Sequence, residues 1–289
     1  MNYGKRSTSK KRNALISRTS MLEKRAHVSF IRVLFTALIA VCVMVVCLGI
    51  GSFRGVIAGA PDVNDVDISP LGYATFLYDD QGTQIRQLSA PTSNRLPVAL
   101  EQIPVSLQHA VVAIEDERFY KHNGIDLQGI ARAAVSTLTG SEQGASTLTQ
   151  QLIKNNVFPN FVDEKTFADK LERKFQEQYL ALQIEKQMSK NEILESYMNT
   201  INLGQNCLGV QSASMRYFGK DVSELTLSEC AVLAAITQNP SGYNPVTHPD
   251  ANAKRRDNVL KNMLEQGYIS KKEYNKAKKD KVYARIQKA

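Results

Sequence analysis

From Val33 to Phe53 the chain runs without a single charge, VLFTALIAVCVMVVCLGIGSF, between Arg32 and Arg54. As a helix rising ~1.5 Å per residue, this run spans about 30 Å, the thickness of a bilayer's hydrocarbon core. A single transmembrane anchor is therefore expected over 33–53. The polar, basic stretch 1–29 before it reads as a disordered tail. Beyond it, Tyr73–Tyr78 and Thr83–Leu88 flank Asp79-Asp80-Gln81-Gly82, the pattern of a small hairpin. From Pro104 the apolar spacing changes to three and four. It predicts helices over Val105–Glu115, Leu127–Leu138, Thr147–Val157, Lys165–Gln187, Lys190–Asn199, Ser228–Thr237 and Ala251–Gln266, with a shorter one after Ser270. Asn239-Pro240-Ser241-Gly242 marks a firm break. No internal repeat is visible, and the fold class expected is mainly α-helical, a globule on a membrane stalk.

Charge sharpens this picture. Residues 1–32 hold nine Lys/Arg against Glu23 alone, and 254–289 hold twelve against four acids. The stretch between holds fifteen against twenty-three and is acidic. An acidic body excludes general nucleic-acid binding, which needs a basic face along phosphate; the basic ends suit anionic lipid headgroups. The eight cations from Lys5 to Arg25, ahead of the apolar run, place the N-terminus in the cytoplasm and the rest of the chain outside. Ala58-Gly59-Ala60 resembles a signal-peptidase site. The long run, the long basic lead and Pro61 after the cut favour an uncleaved anchor. Cys42, Cys47, Cys207 and Cys230 form no C-x-x-C pair, so zinc is not expected. A Cys207–Cys230 disulfide is one possibility in an oxidising compartment, buried free thiols the other.

Three segments carry candidate chemistry. Glu115-Asp116-Glu117 ends the apolar stretch Ala110–Ile114. A carboxylate there is partly removed from water, as a base for a sugar hydroxyl requires, although acids at a helix end are also commonly just solvated. Thr147 followed by Gln150 has capping-box spacing, so a helix starts there. Its free N–H groups and dipole suit a phosphate, with Gln150 and Lys154 on one face; plain capping explains the same residues. Arg173, Lys174 and Glu177 stand at i,i+4 and i,i+3 spacing. They read either as solvated salt bridges or, with Glu115, as two acids facing one cleft. Lys190–Asn199 reads as an amphipathic helix sending Ile193, Leu194, Tyr197 and Met198 into a core.

In order, Glu115-Asp-x-x-Phe119-x-x-His122-x-Gly124, Gly144-x-Ser-Thr-x-Thr-Gln-Gln151, Arg173-Lys-x-x-Glu177 and Ile193-Leu-Glu-x-Tyr-x-Asn199 resemble the motifs of glycosyltransferase family 51. That is the transglycosylase module of class A penicillin-binding proteins and of monofunctional peptidoglycan glycosyltransferases. The likeness runs from about Leu71 to Pro245. It implies a lysozyme-like α-helical domain over 104–248 with a membrane-embedded jaw, preceded by a cytoplasmic tail (1–32), the anchor (33–53) and a juxtamembrane segment (54–103). It implies that lipid II is polymerised with inversion, releasing undecaprenyl diphosphate. Partners would be lipid II, the growing glycan, membrane lipid and cell-wall synthesis proteins.

The resemblance also implies roles. Glu115 and Glu177 would be catalytic, Glu115 as the base and Glu177 orienting it or a divalent metal, Mg2+ or Mn2+, with no organic cofactor. Lys154 would bind the diphosphate, with Ser146, Thr147, Gln150, Gln151, Arg173 and Lys174 lining the site and Asp116, Phe119 and His122 shaping the cleft. The segment Asn155–Glu172 is longer than the family pattern and leaves its diphosphate-binding arginine without an obvious match; Lys165 is the substitute. Residues 249–289 resemble a connector toward a transpeptidase. The one S-x-x-K is Ser7–Lys10 and K-T-G is missing, so no penicillin-reactive function is expected of this chain, whether it is monofunctional or the first part of a longer protein. Two rivals are a lysozyme-like hydrolase or lytic transglycosylase, and a membrane-tethered scaffold.

Overall fold

The computed structural model describes residues 4–66, 68, 72–88, 94–138, 144–158, 161 and 164–288, with backbone alone at 4–7, 18–28, 31, 48, 50, 52, 53, 87, 134, 137 and 138. The chain divides into two units, Met1–Gly59 and Ala60–Ala289. The first is one helix, α1 (Gly4–Ala58). This corrects the expected disordered tail: neither glycine nor proline occurs between Gly4 and Gly49, so nothing interrupts a run rich in Lys, Arg, Leu and Ala. Gly59 and Pro61 end it. Among the described residues no helix is long and apolar enough to cross a membrane. The side chains of Leu48, Ile50, Ser52 and Phe53, which belong to the run expected to do so, lie outside the described residues.

The second unit is mainly helical. Its hairpin pairs β1 (Thr75–Tyr78) with β2 (Gln84–Leu88) antiparallel. Asp79 Oδ1 closes the turn by accepting from Gln81 and Thr83 N–H at 3.0 and 2.7 Å. Nine helices follow among the described residues: α2 (Val105–Glu115), α3 (Leu127–Leu138), α4 (Leu148–Val157), α5 (Phe167–Gln187), α6 (Lys190–Thr200), α7 (Val210–Phe218), α8 (Leu227–Ile236), α9 (Pro249–Glu265) and α10 (Lys271–Lys279). The predicted spans agree with these to within a residue or two, and the shifts have local causes. Thr166 and Asp169 form a capping box, so α5 starts at Phe167 rather than Lys165. Pro249 occupies the first turn of α9, where a missing N–H costs nothing.

Burial organises the helices into two layers of contact. α8 is buried at every position from Ser228 to Ile236, as befits a helix apolar on all faces, and α2 and α9 pack against it. α4 packs against both α5 and α6. Ile193, Leu194, Tyr197 and Met198 enter the core as predicted. Cys207 and Cys230 are buried free thiols, and burial pushes them up to about 11 and about 12. Leu127 and Val135 of α3 and Phe167 at the start of α5 stay in solvent at 74, 62 and 80% exposure.

Between α2 and α4 the chain crosses α5 at Gly124. Its φ is +89°, and a Cβ there would stand 2.6 Å from the Ala181 carbonyl oxygen. Gly124→Ala should therefore cost about 3 kcal/mol through backbone strain and overlap. A lowered urea midpoint with an unchanged m-value checks this; an unchanged midpoint contradicts it.

Candidate active site

Glu115 is the last residue of α2, and its side chain is 10% exposed. Three elements hold its two oxygens. Oε2 accepts from Gln151 Nε2 of α4 at 3.1 Å. Oε1 lies 2.5 Å from Thr237 Oγ1, just beyond α8, and 3.3 Å from Arg255 Nη2 of α9. The Thr237 hydroxyl has one proton, and 2.5 Å is the length of a hydroxyl donating to a carboxylate. The Gln151 amide is itself fixed, because the Tyr197 hydroxyl donates to Gln151 Oε1 at 3.0 Å. A flipped amide would set its oxygen against the carboxylate. Burial first, then Glu115 and Asp116, raises the Tyr197 phenol far above its usual range, so it remains a donor.

One helical turn beyond Gln151, α4 presents Lys154 toward α5. Burial lowers the Lys154 ammonium below the ordinary lysine value; Glu177 opposes this, Lys174 and Arg173 add to it, and Glu115 opposes it. Lys154 thus lies in the field of both glutamates. It stands 4.9 Å over the Phe161 ring and, among the described residues, forms no ion pair. Glu177 is fully buried on α5, in contact with Arg173 Nη1 and 2.8 Å from Lys174 Nζ. Lys174 Nζ also donates to Ser146 Oγ at 2.8 Å, and Arg173 Nε to Glu164 at 2.6 Å. These are not the solvated salt bridges that spacing alone suggests. Burial works against the Arg173 charge, but Glu164 and Glu177 outweigh it and raise its pKa.

A third group joins the two helices. Both Asp116 oxygens lie 3.0 Å from His122 Nε2, and Oδ2 also accepts from Leu148 N–H at 2.9 Å. Gly124 N–H donates to His122 Nδ1 at 3.1 Å, which leaves the proton on Nε2. Gly124 O in turn accepts from Thr147 Oγ1 and Gln150 Nε2 at 2.8 and 3.2 Å. Phe119 is buried beneath Lys190, whose ammonium stands 4.5 Å from its ring centre.

The start of α4, where the sequence suggested a diphosphate site, is bonded within the protein. Thr147 accepts from Gln150 N–H, but Gln150 turns its side chain to Gly124 and does not complete the capping box. Thr147, Leu148, Thr149 and Gln150 are buried, and Asp116 already supplies the anion that the helix terminus attracts. Lys154 sits at the opposite end of the helix.

The transglycosylase family model matches residues 81–264, which contain every group named above. The chain belongs to the transglycosylase family. It is 42% identical over 241 residues to penicillin-binding protein 1A of Clostridium botulinum, covering 80% of this chain and 28% of that protein. It is 44% identical over 199 residues to penicillin-binding protein 1F of Bacillus subtilis (68% and 27%), and 39% identical over 251 residues to penicillin-binding protein 1A of Escherichia coli (86% and 28%). The chain thus spans little more than a quarter of the length of these relatives.

Within this transglycosylase unit, Lys165 and Glu177 have unlike surroundings. Lys165 is exposed, and none of the described hydrogen bonds or ion pairs joins it to Lys154 or Arg173. A divalent metal at Glu177 does not fit, because both carboxylate oxygens already face cations and, among the described residues, no three His, Cys, Asp or Glu gather to hold one. Sequence reasoning missed Thr237, Arg255 and the role of Tyr197 as a clamp. Tyr197 lies in a quoted motif; Thr237 and Arg255 lie beyond all four, and only the extent of the family match points to them.

Glu177 is the strongest attractive charge acting on Lys154. Glu177→Gln should therefore move the Lys154 titration to lower pH, since loss of a neighbouring anion disfavours the ammonium. Competitive labelling of Lys154 between about pH 7 and 11 reads this shift. A midpoint that stays or rises would contradict the arrangement.

Proposed function

We propose that the chain is a peptidoglycan glycosyltransferase that polymerises lipid II into glycan strands. The observation that carries this reading is the placement of Glu115, a carboxylate clamped by Gln151 of α4, in the field of Lys154 one turn further along that helix, a cation left without an ion partner among the described residues. A glycosyl transfer of this kind needs both: a base for the attacking hydroxyl and positive charge where the leaving group becomes anionic.

In the reaction, Glu115 takes the proton from the 4-hydroxyl of the acceptor N-acetylglucosamine of lipid II. The oxygen's electron pair forms a bond to the anomeric carbon of the growing chain's N-acetylmuramic acid. The bond from that carbon to undecaprenyl diphosphate breaks on the opposite face, so the configuration inverts, and the leaving pair stays on the diphosphate. Lys154 meets that charge directly. Arg173 and Lys174 hold Glu177, which in turn supports the ammonium of Lys154. The cleft is read as lysozyme-like, and partners in cell-wall synthesis belong to the same proposal.

A lipid-linked substrate calls for a membrane location. We read residues 33–53 as a single-pass anchor in the cytoplasmic membrane, with the N-terminus in the cytoplasm and the catalytic unit outside. Two features support this: the uncharged run on α1 exposes Val33, Leu34, Phe35 and Leu38, and α3 leaves Leu127 and Val135 uncovered, as a jaw in contact with lipid would.

The test is a lipid II polymerisation assay on detergent-solubilised protein, with products resolved on a gel. Wild type should give glycan ladders, and Glu115→Gln should lose at least about 100-fold in rate with its melting midpoint preserved. Lys154→Ala should lose turnover more than stability. Cutting of finished glycan without polymerisation would sink the proposal.

A further inference from the structure

We infer that Arg255, carried on α9 and braced by Tyr243, is a positioning residue that fixes the direction in which the Glu115 carboxylate faces the acceptor hydroxyl. The inference rests on the reading of Glu115 as the base.

The case starts at the end of α2. The last carbonyls of a helix have no partner within it. Here the Ala113 carbonyl, two residues before Glu115, accepts from Asn262 Nδ2 at 3.1 Å and Gln266 Nε2 at 3.0 Å. Both donors belong to the α9 side of the contact, Asn262 within the helix and Gln266 as its C-cap. Arg255 precedes Asn262 by seven residues and Gln266 by eleven, so all three lie on one stripe of the same helix. α9 is thereby pinned in register against the last turn of α2, and Arg255 arrives opposite Glu115.

The guanidinium has little freedom once there. Its side chain is 15% exposed, and its central carbon stands 5.1 Å over the Tyr243 ring. Stacking of the planar fork on an aromatic face selects one orientation, which a lysine does not reproduce. From it, Nη2 reaches Glu115 Oε1 at 3.3 Å. A cation is also favoured at this place by the negative end of the α2 dipole.

The other two donors do not fix the carboxylate alone. Gln151 and Thr237 each hold one oxygen from an uncharged donor, and the Thr237 hydroxyl has a second acceptor, Ala234 O, at 2.9 Å. Arg255 supplies a charge on the Oε1 side that cannot turn away. Its described contacts are with Glu115 and Tyr243 rather than with the groups assigned to the diphosphate. The charges acting most on Lys154 come from Glu177, Lys174, Arg173 and Glu115. Loss of Arg255 should therefore misdirect the base without weakening the hold on lipid II.

The experiment compares wild type, Arg255→Ala, Arg255→Lys, Glu115→Gln and the Arg255→Ala/Glu115→Gln double variant, each as the full chain in detergent. Turnover at saturating lipid II, the half-saturating concentration and the melting midpoint are measured. Arg255→Ala should lower saturated turnover on the order of 10- to 100-fold, with half-saturation moving less than about threefold. Added guanidinium should restore part of that turnover, and Arg255→Lys should fall between wild type and Arg255→Ala. The drop in melting midpoint caused by Arg255→Ala should shrink by at least about half when Glu115 is already Gln, because the two side chains are coupled.

Turnover within about twofold of wild type would overturn the inference, as would a loss confined to half-saturation. An equal drop in melting midpoint in both backgrounds would overturn it too. If wild type itself makes no glycan, the reading of Glu115 as base falls, while the melting cycle still decides whether Arg255 and Glu115 act on one another.

Discussion

The buried contact of Asp116 with His122 and the start of α4 is the constraint on which the rest of the site depends. A carboxylate taken out of water must find donors. Asp116 finds the His122 ring and the Leu148 N–H, and thereby ties the end of α2 to the beginning of α4. Glu115 is its neighbour in sequence, and Gln151 follows Leu148 by one turn. Once Asp116 is satisfied, the base and the amide that clamps it have almost no choice of relative position. His122 completes the knot because its second nitrogen accepts from Gly124, whose carbonyl returns to Thr147 and Gln150. Each polar group in this chain uses the previous one, so loss of any member leaves another buried and unpaired.

Charge is distributed with the same economy. Glu177 is fully buried yet never isolated, because Arg173 and Lys174 neutralise it from its own helix. Those pairs do not give up their cations cheaply, since a buried carboxylate stripped of its partners is costly. Lys154 is different. It borrows the field of Glu177 without touching it, and so keeps its own donors for a ligand. Base and cation therefore stand on different helices, α2 and α4, and their supporting charges come from two others, α9 for Glu115 and α5 for Lys154.

Much of this was legible in the sequence. The apolar spacing predicted α2 and α3 to the residue, because long amphipathic segments carry their own period. Glu115 and Glu177 lie in quoted motifs and Lys154 three residues past one, and the fold brings Lys154 into the field of both glutamates. What spacing could not convey was long-range pairing. Thr237 and Arg255 reach Glu115 across 122 and 140 residues, and no local pattern encodes such a meeting. The start of α4 shows the same limit: its capping spacing is local, whereas the acceptor of the Leu148 N–H, Asp116, lies 32 residues earlier. The N-terminal stretch misled through composition, since basic and polar residues without glycine or proline can hold a helix as readily as a coil.

The bracket of Asn262 and Gln266 around the Ala113 carbonyl has a consequence for how the site tolerates change. The three polar contacts between α9 and the end of α2 occupy a single stripe, so they cannot be adjusted one at a time. Sliding α9 by one residue moves it about 1.5 Å along its axis and turns that stripe by about 100°. All three contacts would then be lost together. The helix behaves like a vernier scale, on which only one graduation aligns, and the setting of the carboxylate is read off that alignment. Insertions or deletions between the Asn239-Pro240 break and Arg255 are therefore far harder to absorb than substitutions of the same residues.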